Sequence, residues 1–86
     1  MIIRSQDKTG IVIYENVIAI YVIEVFDDDY KEWFEIRYSG NDVSGTLGEY
    51  STEAKAIKVL DMIEAAHRSM SFTDSVVFRM PQDSEV

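Results

Sequence analysis

A ten-residue run, VIAIYVIEVF at 17–26, constrains the fold of this chain more than any other feature. Glu24 is the only charged residue of this run. The run is too short for a membrane-spanning helix, which needs roughly 18 apolar residues, and no other apolar run in the chain is long enough. Successive side chains of a strand point to opposite faces, so this strand is apolar on both faces. A sheet face in contact with water should instead carry polar residues. The run therefore predicts a central strand whose second face needs a cover.

The remaining apolar spacing predicts several shorter strands and then one helix. Strands are predicted at 2–3, 11–14, 31–39, 46–50 and 75–80. The segment GNDVSG at 40–45 is rich in turn-forming residues and predicts a loop, and Gly48 predicts a bulge or a close backbone approach. After residue 50 the period becomes helical, with Ser51 or Thr52 as the cap and Glu53 in the first turn.

These elements predict a single α+β domain over 1–86, with 81–86 as a polar C-terminal tail after the last strand. Its expected core is a mostly antiparallel sheet of five to six strands, with one long amphipathic helix (about 52–70) packed on one face. One helix cannot cover both faces of such a sheet. A second subunit is the expected cover for the other face, and curling of the sheet into a half-barrel is the alternative.

The charge of the chain argues against two classes of partner. Sixteen acidic residues against eight basic ones give a net charge of −8, which repels nucleic-acid phosphates and anionic membrane surfaces. We therefore expect no direct nucleic-acid binding and no membrane association. The absence of cysteine fits a reducing compartment, and a cytoplasmic location is expected. The acidic charge most simply indicates solubility, and mimicry of nucleic-acid charge towards a basic groove of a partner is the alternative. The only acidic block, Asp27-Asp28-Asp29, predicts a solvated turn.

Residues suited to catalysis are few. The single histidine, His67, lies on the apolar face of the predicted helix. A histidine at such a position usually belongs to the core or its rim. Without a second histidine or any cysteine, a zinc site would need carboxylate ligands, and their spacing in the sequence does not offer them. No pair of carboxylates stands out for acid–base work, and no phosphate-binding or dinucleotide motif is present. The sequence predicts a protein that is not an enzyme, with no catalytic residues, no metal and no cofactor.

Two groups of residues are candidates for binding a small anion. The opening stretch, IRSQDK, offers several donors as the first strand ends, and two further arginines lie within strands. The predicted ligand-binding residues are Arg4, Ser5, Gln6, Lys8, Arg37 and Arg79. An arginine can grip a phosphate through two parallel hydrogen bonds, which makes Arg4 the leading candidate.

Each group also has a purely structural interpretation. Asp7 and Gly10 alone would suffice to make the first turn, although a turn does not require the three residues before Asp7. The strand arginines could pair across strands with Glu24, Glu35 or Glu49. We favour a binding edge followed by a turn for the opening stretch.

Three motifs carry a resemblance to a known group of proteins. The opening IRSQDK, the LGEYST that leads into AKAIKVLDMIE, and the closing VFRMPQDSEV resemble a family of short proteins common in genomes of Firmicutes and their prophages and phages. The resemblance covers roughly half of the chain and brings no agreed biochemical activity. It implies a small intracellular protein, often carried on mobile elements, where inhibitors of host defence are frequent.

The residues and the resemblance together predict a non-enzymatic binding protein. Its most concrete form is a homo-oligomer that counters host defence by sequestering a small anionic, nucleotide-derived signal. The alternative is an acidic inhibitor that binds a host defence protein such as a CRISPR effector. The third interpretation is an enzyme that acts on a phosphorylated small molecule.

Overall fold

The computed structural model describes residues 1–69 and 77–86 and has an α+β architecture. The described strands, in chain order, are β1 Ile2–Arg4, β2 Ile11–Ile13, β3 Val17–Phe26, β4 Glu32–Gly40, β5 Val43–Tyr50 and β6 Val77–Arg79. Helix α1 spans Glu53–Arg68, and short 3-10 turns occupy Tyr14–Asn16 and Asp83–Glu85. Within these ranges no helix is long and apolar enough to cross a membrane.

The strands form two sheets of three strands each, in the orders β2-β1-β6 and β3-β4-β5. The prediction of one sheet of five to six strands is therefore wrong, although the α+β class is confirmed and the described residues contain one long helix. The 3-10 turn at Tyr14–Asn16 redirects the chain after β2, so that β3 begins a new sheet. Pairing is antiparallel except between β1 and β6, which are parallel.

Strand β3 has the bounds predicted from its apolar run, and β4 lies beside it. The predicted loop at 40–45 is wrong, because Gly40 pairs directly with Val43 and β5 begins there. Asp42 takes a positive φ of 59° in this tight connection, a conformation that aspartate tolerates better than most residues. The predicted irregularity at Gly48 is confirmed, since the β4–β5 register shifts by one residue at Leu47.

Helix α1 begins as predicted. The Thr52 side chain accepts a hydrogen bond from the Lys55 amide at 3.2 Å, and Glu53 lies in the first turn. The predicted apolar face supplies the buried residues Ala56, Val59 and Ile63. The described helix ends at Arg68; the predicted end near 70 and the start of the last strand at 75 lie outside the described residues.

One core joins both sheets and the helix. Its buried members are Met1, Ile3, Phe34, Ile36, Leu47, Tyr50, Ala56, Val59, Ile63 and Met80. Burying a side chain such as Ile36 or Val59 contributes about 1.5–3 kcal/mol each. The last six residues, predicted as a polar tail, contain the 3-10 turn at Asp83–Glu85, and Val86 packs against the core.

Candidate functional site

Residues 5–10 form a closed turn organised by Asp7. Its carboxylate accepts hydrogen bonds from the Ser5 hydroxyl at 2.7 Å and from the amide and hydroxyl of Thr9 at 2.9 and 2.7 Å. These bonds, the Thr9 amide first, lower the pKa of Asp7 to about 2. The Ser5 amide donates to the Gly10 carbonyl at 3.0 Å. Ser5, a predicted ligand residue, is therefore occupied within the turn.

The guanidinium of Arg4 contacts the same turn. Its Nε and Nη2 donate to the Lys8 carbonyl at 3.2 and 2.8 Å, where Lys8 has a positive φ of 66°. This main-chain contact takes one edge of the guanidinium and leaves the Nη1 group for another acceptor. Arg4 thus has a structural role that the sequence did not predict, and it keeps donor capacity for a ligand.

Gln6 connects three segments that are distant in sequence. Its Nε2 donates to the carbonyls of Glu49 at 2.9 Å and Pro81 at 3.1 Å, and its Oε1 accepts from the Glu49 amide at 2.7 Å. Its own amide donates to the Leu47 carbonyl at 2.8 Å, and its carbonyl accepts from Gln82 Nε2 at 2.7 Å. With its amide group fully used by the main chain, Gln6 has little capacity left for a ligand.

Arg4 and Arg79 lie side by side on the outer face of sheet β2-β1-β6. The parallel register of β1 and β6 places Arg4 directly beside Arg79. No carboxylate of residues 1–69 or 77–86 lies within 4 Å of either guanidinium. Like charges on neighbouring strands repel when nothing neutralises them. The pair is notable in a chain with twice as many acidic as basic residues.

Apolar side chains surround these two arginines on the same face. Ile11 is 60% exposed, Ile13 48% and Val77 48%, and the register places Ile11 across from Arg4. The face therefore combines two cations with exposed aliphatic surface. Such a surface suits a ligand that has both an anionic and an apolar part.

Arg37, the third predicted arginine, lies in the other sheet and shares no strand pairing with Arg4 or Arg79. It stands between Tyr21 on β3 and Thr46 on β5. Its Nε is buried and has no hydrogen-bond partner among the described residues. The cross-strand ion pairs considered for the strand arginines, with Glu24, Glu35 or Glu49, do not occur in the part of the chain that the structure describes.

The sequence interpretation missed Asp83, which anchors the C-terminal segment. Its carboxylate accepts from the amide and hydroxyl of Ser51 at 2.8 and 3.0 Å and lies 3.4 Å from Lys55 Nζ. The Ser51 amide, followed by its hydroxyl and Lys55, lowers the pKa of Asp83. A sequence signal was present, because Gln82 and Glu85 have the spacing of a capping box.

The acidic turn after β3 carries two exposed aromatic residues. Asp27 closes this turn by accepting from the amides of Asp29 and Lys31 at 2.9 and 2.8 Å. Tyr30 is 89% exposed with a positive φ of 60°, and Phe26 is 57% exposed. A bulky residue with positive φ is uncommon, and here it projects an aromatic ring into solvent beside the acidic block.

His67 lies at the rim of the core, as the helix pattern predicts. Its ring stacks on Tyr14 with centroids 4.3 Å apart. In the described ranges, no three His, Asp or Glu side chains are grouped to hold a metal ion. Comparison with protein-family models, with curated proteins and with solved structures found no match for this chain.

Proposed function

We propose that this chain is a non-enzymatic binding protein that takes a small phosphorylated ligand on the outer face of sheet β2-β1-β6. The observation that carries the proposal is the adjacent pair Arg4 and Arg79, which has no carboxylate within 4 Å among the described residues. A phosphate between the two guanidinium groups would remove their mutual repulsion and accept their free donors. Lys8, whose carbonyl Arg4 contacts, adds a third cation near the same end of β1.

The apolar surroundings of the pair favour a nucleotide over an inorganic anion. Ile11 and Val77 flank the arginines and are about half exposed. A flat base or a similar ring can cover such aliphatic surface while its phosphate stays with the arginines. This combination supports a nucleotide-derived ligand, and a role in sequestration fits a protein without a proposed catalytic group.

The proposed biological form is a cytoplasmic homo-oligomer that counters host defence by holding a nucleotide-derived signal. The proposed role in counter-defence depends on the resemblance to short phage and prophage proteins. The proposed class of ligand depends on the arginine pair. Self-association has its own support, since Tyr21 on the apolar strand β3 is 39% exposed and Ile18 is 72% exposed.

Native mass spectrometry after incubation with a panel of mono-, di- and cyclic nucleotides tests the proposal. Binding of an intact nucleotide, with the protein at the mass of an oligomer, is the expected result. Release of a chemically altered nucleotide would instead support an enzyme that acts on a phosphorylated small molecule. An unchanged protein spectrum with every member of the panel would contradict ligand sequestration.

A second candidate function is favoured by the acidic turn after β3. Asp27, Asp28 and Asp29 present three carboxylates beside the exposed rings of Phe26 and Tyr30. Aromatic anchors within a polar rim are typical of protein interfaces, and the charge of this turn suits a basic surface of a host defence protein. The Asp28→Lys/Asp29→Lys double variant should abolish such an interaction and leave nucleotide binding unchanged, which separates the two functions.

A further inference from the structure

The two edge strands of sheet β3-β4-β5, β5 and β3, differ in how far their outer main-chain groups are hydrogen-bonded. The β5 edge is covered, because Gln6 contacts the Leu47 carbonyl and both main-chain groups of Glu49. Strand β3 has β4 as its only strand neighbour in the described chain. No main-chain hydrogen bond from residues 1–69 or 77–86 reaches its other edge. The β5 edge is therefore covered at Leu47 and Glu49, whereas the β3 edge is open among the described residues.

The main-chain groups at the open edge follow from the antiparallel register. The Asp27 amide donates to the Lys31 carbonyl at 3.1 Å, which identifies this as a hydrogen-bonded pair. Hydrogen-bonded and non-hydrogen-bonded pairs alternate along an antiparallel ladder. From Ala19 onward the odd-numbered residues of β3 therefore bond to β4, and the bulge between Val17 and Ala19 leaves Ile18 without a partner on β4. The residues whose N–H and C=O groups point to the open edge are Ile20, Val22, Glu24 and Phe26.

This open edge lacks the usual protection against pairing. Exposed edge strands in proteins are commonly blunted by lysine, proline or inward-pointing charges. Over its ten residues β3 contains no proline and one charge, Glu24, in a chain that has 24 charged residues, 16 acidic and 8 basic. Two of its apolar side chains, Ile18 and Phe26, are 72% and 57% exposed. The strand is suited to adding another strand.

A groove beside the first half of β3 has room for an aromatic ring. It lies between β3 and α1, has a volume of about 310 Å³, and is lined mainly by Tyr14, Ile18, Ile20, Leu60 and Ile63. Phe26 lies at the far end of the same strand. It is on the same face as Ile20 and Val22, which pack against the core.

We propose that β3 pairs antiparallel with β3 of a second copy of the chain, with Val22 opposite its own counterpart. In this register Ile20 of one copy lies opposite Glu24 of the other, and Val22 lies opposite Val22. The outward-pointing N–H and C=O groups of the two strands can then form hydrogen bonds with each other. The same register places Phe26 of each copy opposite Ile18 of the other, at the groove. No two like charges lie opposite each other across the interface. The β3-β4-β5 sheets of the two copies join into one sheet of six strands.

The symmetry of β3 favours a second copy over an unrelated strand. Phe26 and Ile18 lie four residues on either side of Val22. A two-fold axis at Val22 therefore places the Phe26 ring of each copy at the Ile18 groove of the other copy. This is the self-complementary arrangement that two-fold dimers require. The inference depends on the self-association part of the proposed function and is independent of ligand binding at Arg4 and Arg79.

Sedimentation equilibrium of matched variants tests the side-chain contact. Phe26→Ala should raise the dimer dissociation constant about 30-fold or more, because the substitution removes an aromatic anchor from both copies of the dimer. Tyr30→Ala is the control, because it removes an even more exposed ring, at 89%, that does not face the groove. It should change the constant by less than about threefold. Equal effects of the two substitutions would contradict the proposed contact.

Hydrogen exchange tests the main-chain pairing. The amides of Ile20, Val22 and Glu24 should exchange more slowly as the protein concentration rises through the dimer range. Glu24→Pro should prevent dimerisation by removing an edge donor, whereas Glu24→Ala, which keeps the amide, should not. A dimer without this protection would overturn the β3 inference alone. A strict monomer would overturn self-association as well, while nucleotide binding is measured separately.

Discussion

Gln6→Ala distinguishes a structural role for the opening stretch from a ligand-binding one. The substitution removes three side-chain hydrogen bonds, two to Glu49 and one to Pro81. A hydrogen bond contributes about 0.5–1.5 kcal/mol net, and two of these three are solvent-exposed. The Pro81 carbonyl keeps its bond from the Tyr50 hydroxyl at 2.8 Å. The expected loss of unfolding free energy is therefore about 2 kcal/mol, near the lower part of the summed range.

Thermal and urea unfolding of Gln6→Ala measure this loss. For a domain of this size it corresponds to a fall in Tm of about 8–16 °C. Gln6→Glu is a matched variant that keeps an acceptor for the Glu49 amide but brings a carboxylate against two carbonyl oxygens. It should be at least as destabilising at pH 7 and should recover at pH values low enough to protonate the carboxyl. An unchanged Tm together with lost nucleotide binding would refute the structural role.

Three further changes have defined outcomes. Gly48→Ala should cost about 1–3 kcal/mol in chemical unfolding, because the added Cβ lies 3.0 Å from the hydroxyl of buried Tyr50; a neutral effect would show that the bulge can relax. Asp7 has a pKa lowered from 3.8 to about 2, so its stabilisation holds above pH 4 and is lost as the pH falls towards 2. Asp7→Asn should flatten the fall of Tm between these pH values, and an unaltered profile would contradict this. His67→Gln should cost about 1–2 kcal/mol through lost stacking on Tyr14 and leave nucleotide binding intact in calorimetric titration.

The sequence predicted the local elements better than their assembly. The bounds of β3, the Thr52 cap and the helix face follow from spacing and from short-range hydrogen bonding, which operate within a few residues. The division into two sheets depends on the 3-10 turn at Tyr14–Asn16 and on the parallel pairing of β1 with β6. The β1–β6 pairs join residues that are more than 70 positions apart. The periodic spacing of apolar residues along the sequence does not predict such pairs.

The structure places the predicted ligand-binding residues in two separate regions of the fold. Arg4 and Arg79 meet because β1 and β6 are neighbours, whereas Arg37 lies in the other sheet. Gln6 could not be recognised as a structural residue, since its partners Glu49 and Pro81 are 43 and 75 positions away. A donor-rich stretch in sequence does not reveal which donors the fold itself uses.

Arg79→Ala is the sharpest test of whether the pair of Arg4 and Arg79 binds a phosphorylated ligand. Arg79 is exposed, while Arg4 also supports the turn at Lys8. Arg68→Ala is the matched control, because it removes the same charge from an exposed arginine on α1 that pairs with Glu64 instead. Calorimetric titration with the nucleotide that binds wild-type protein should show affinity at least about tenfold weaker in Arg79→Ala, or about 1.4 kcal/mol, and unchanged in Arg68→Ala. Equal affinity of wild-type protein and Arg79→Ala would show that the arginine pair does not bind the phosphate.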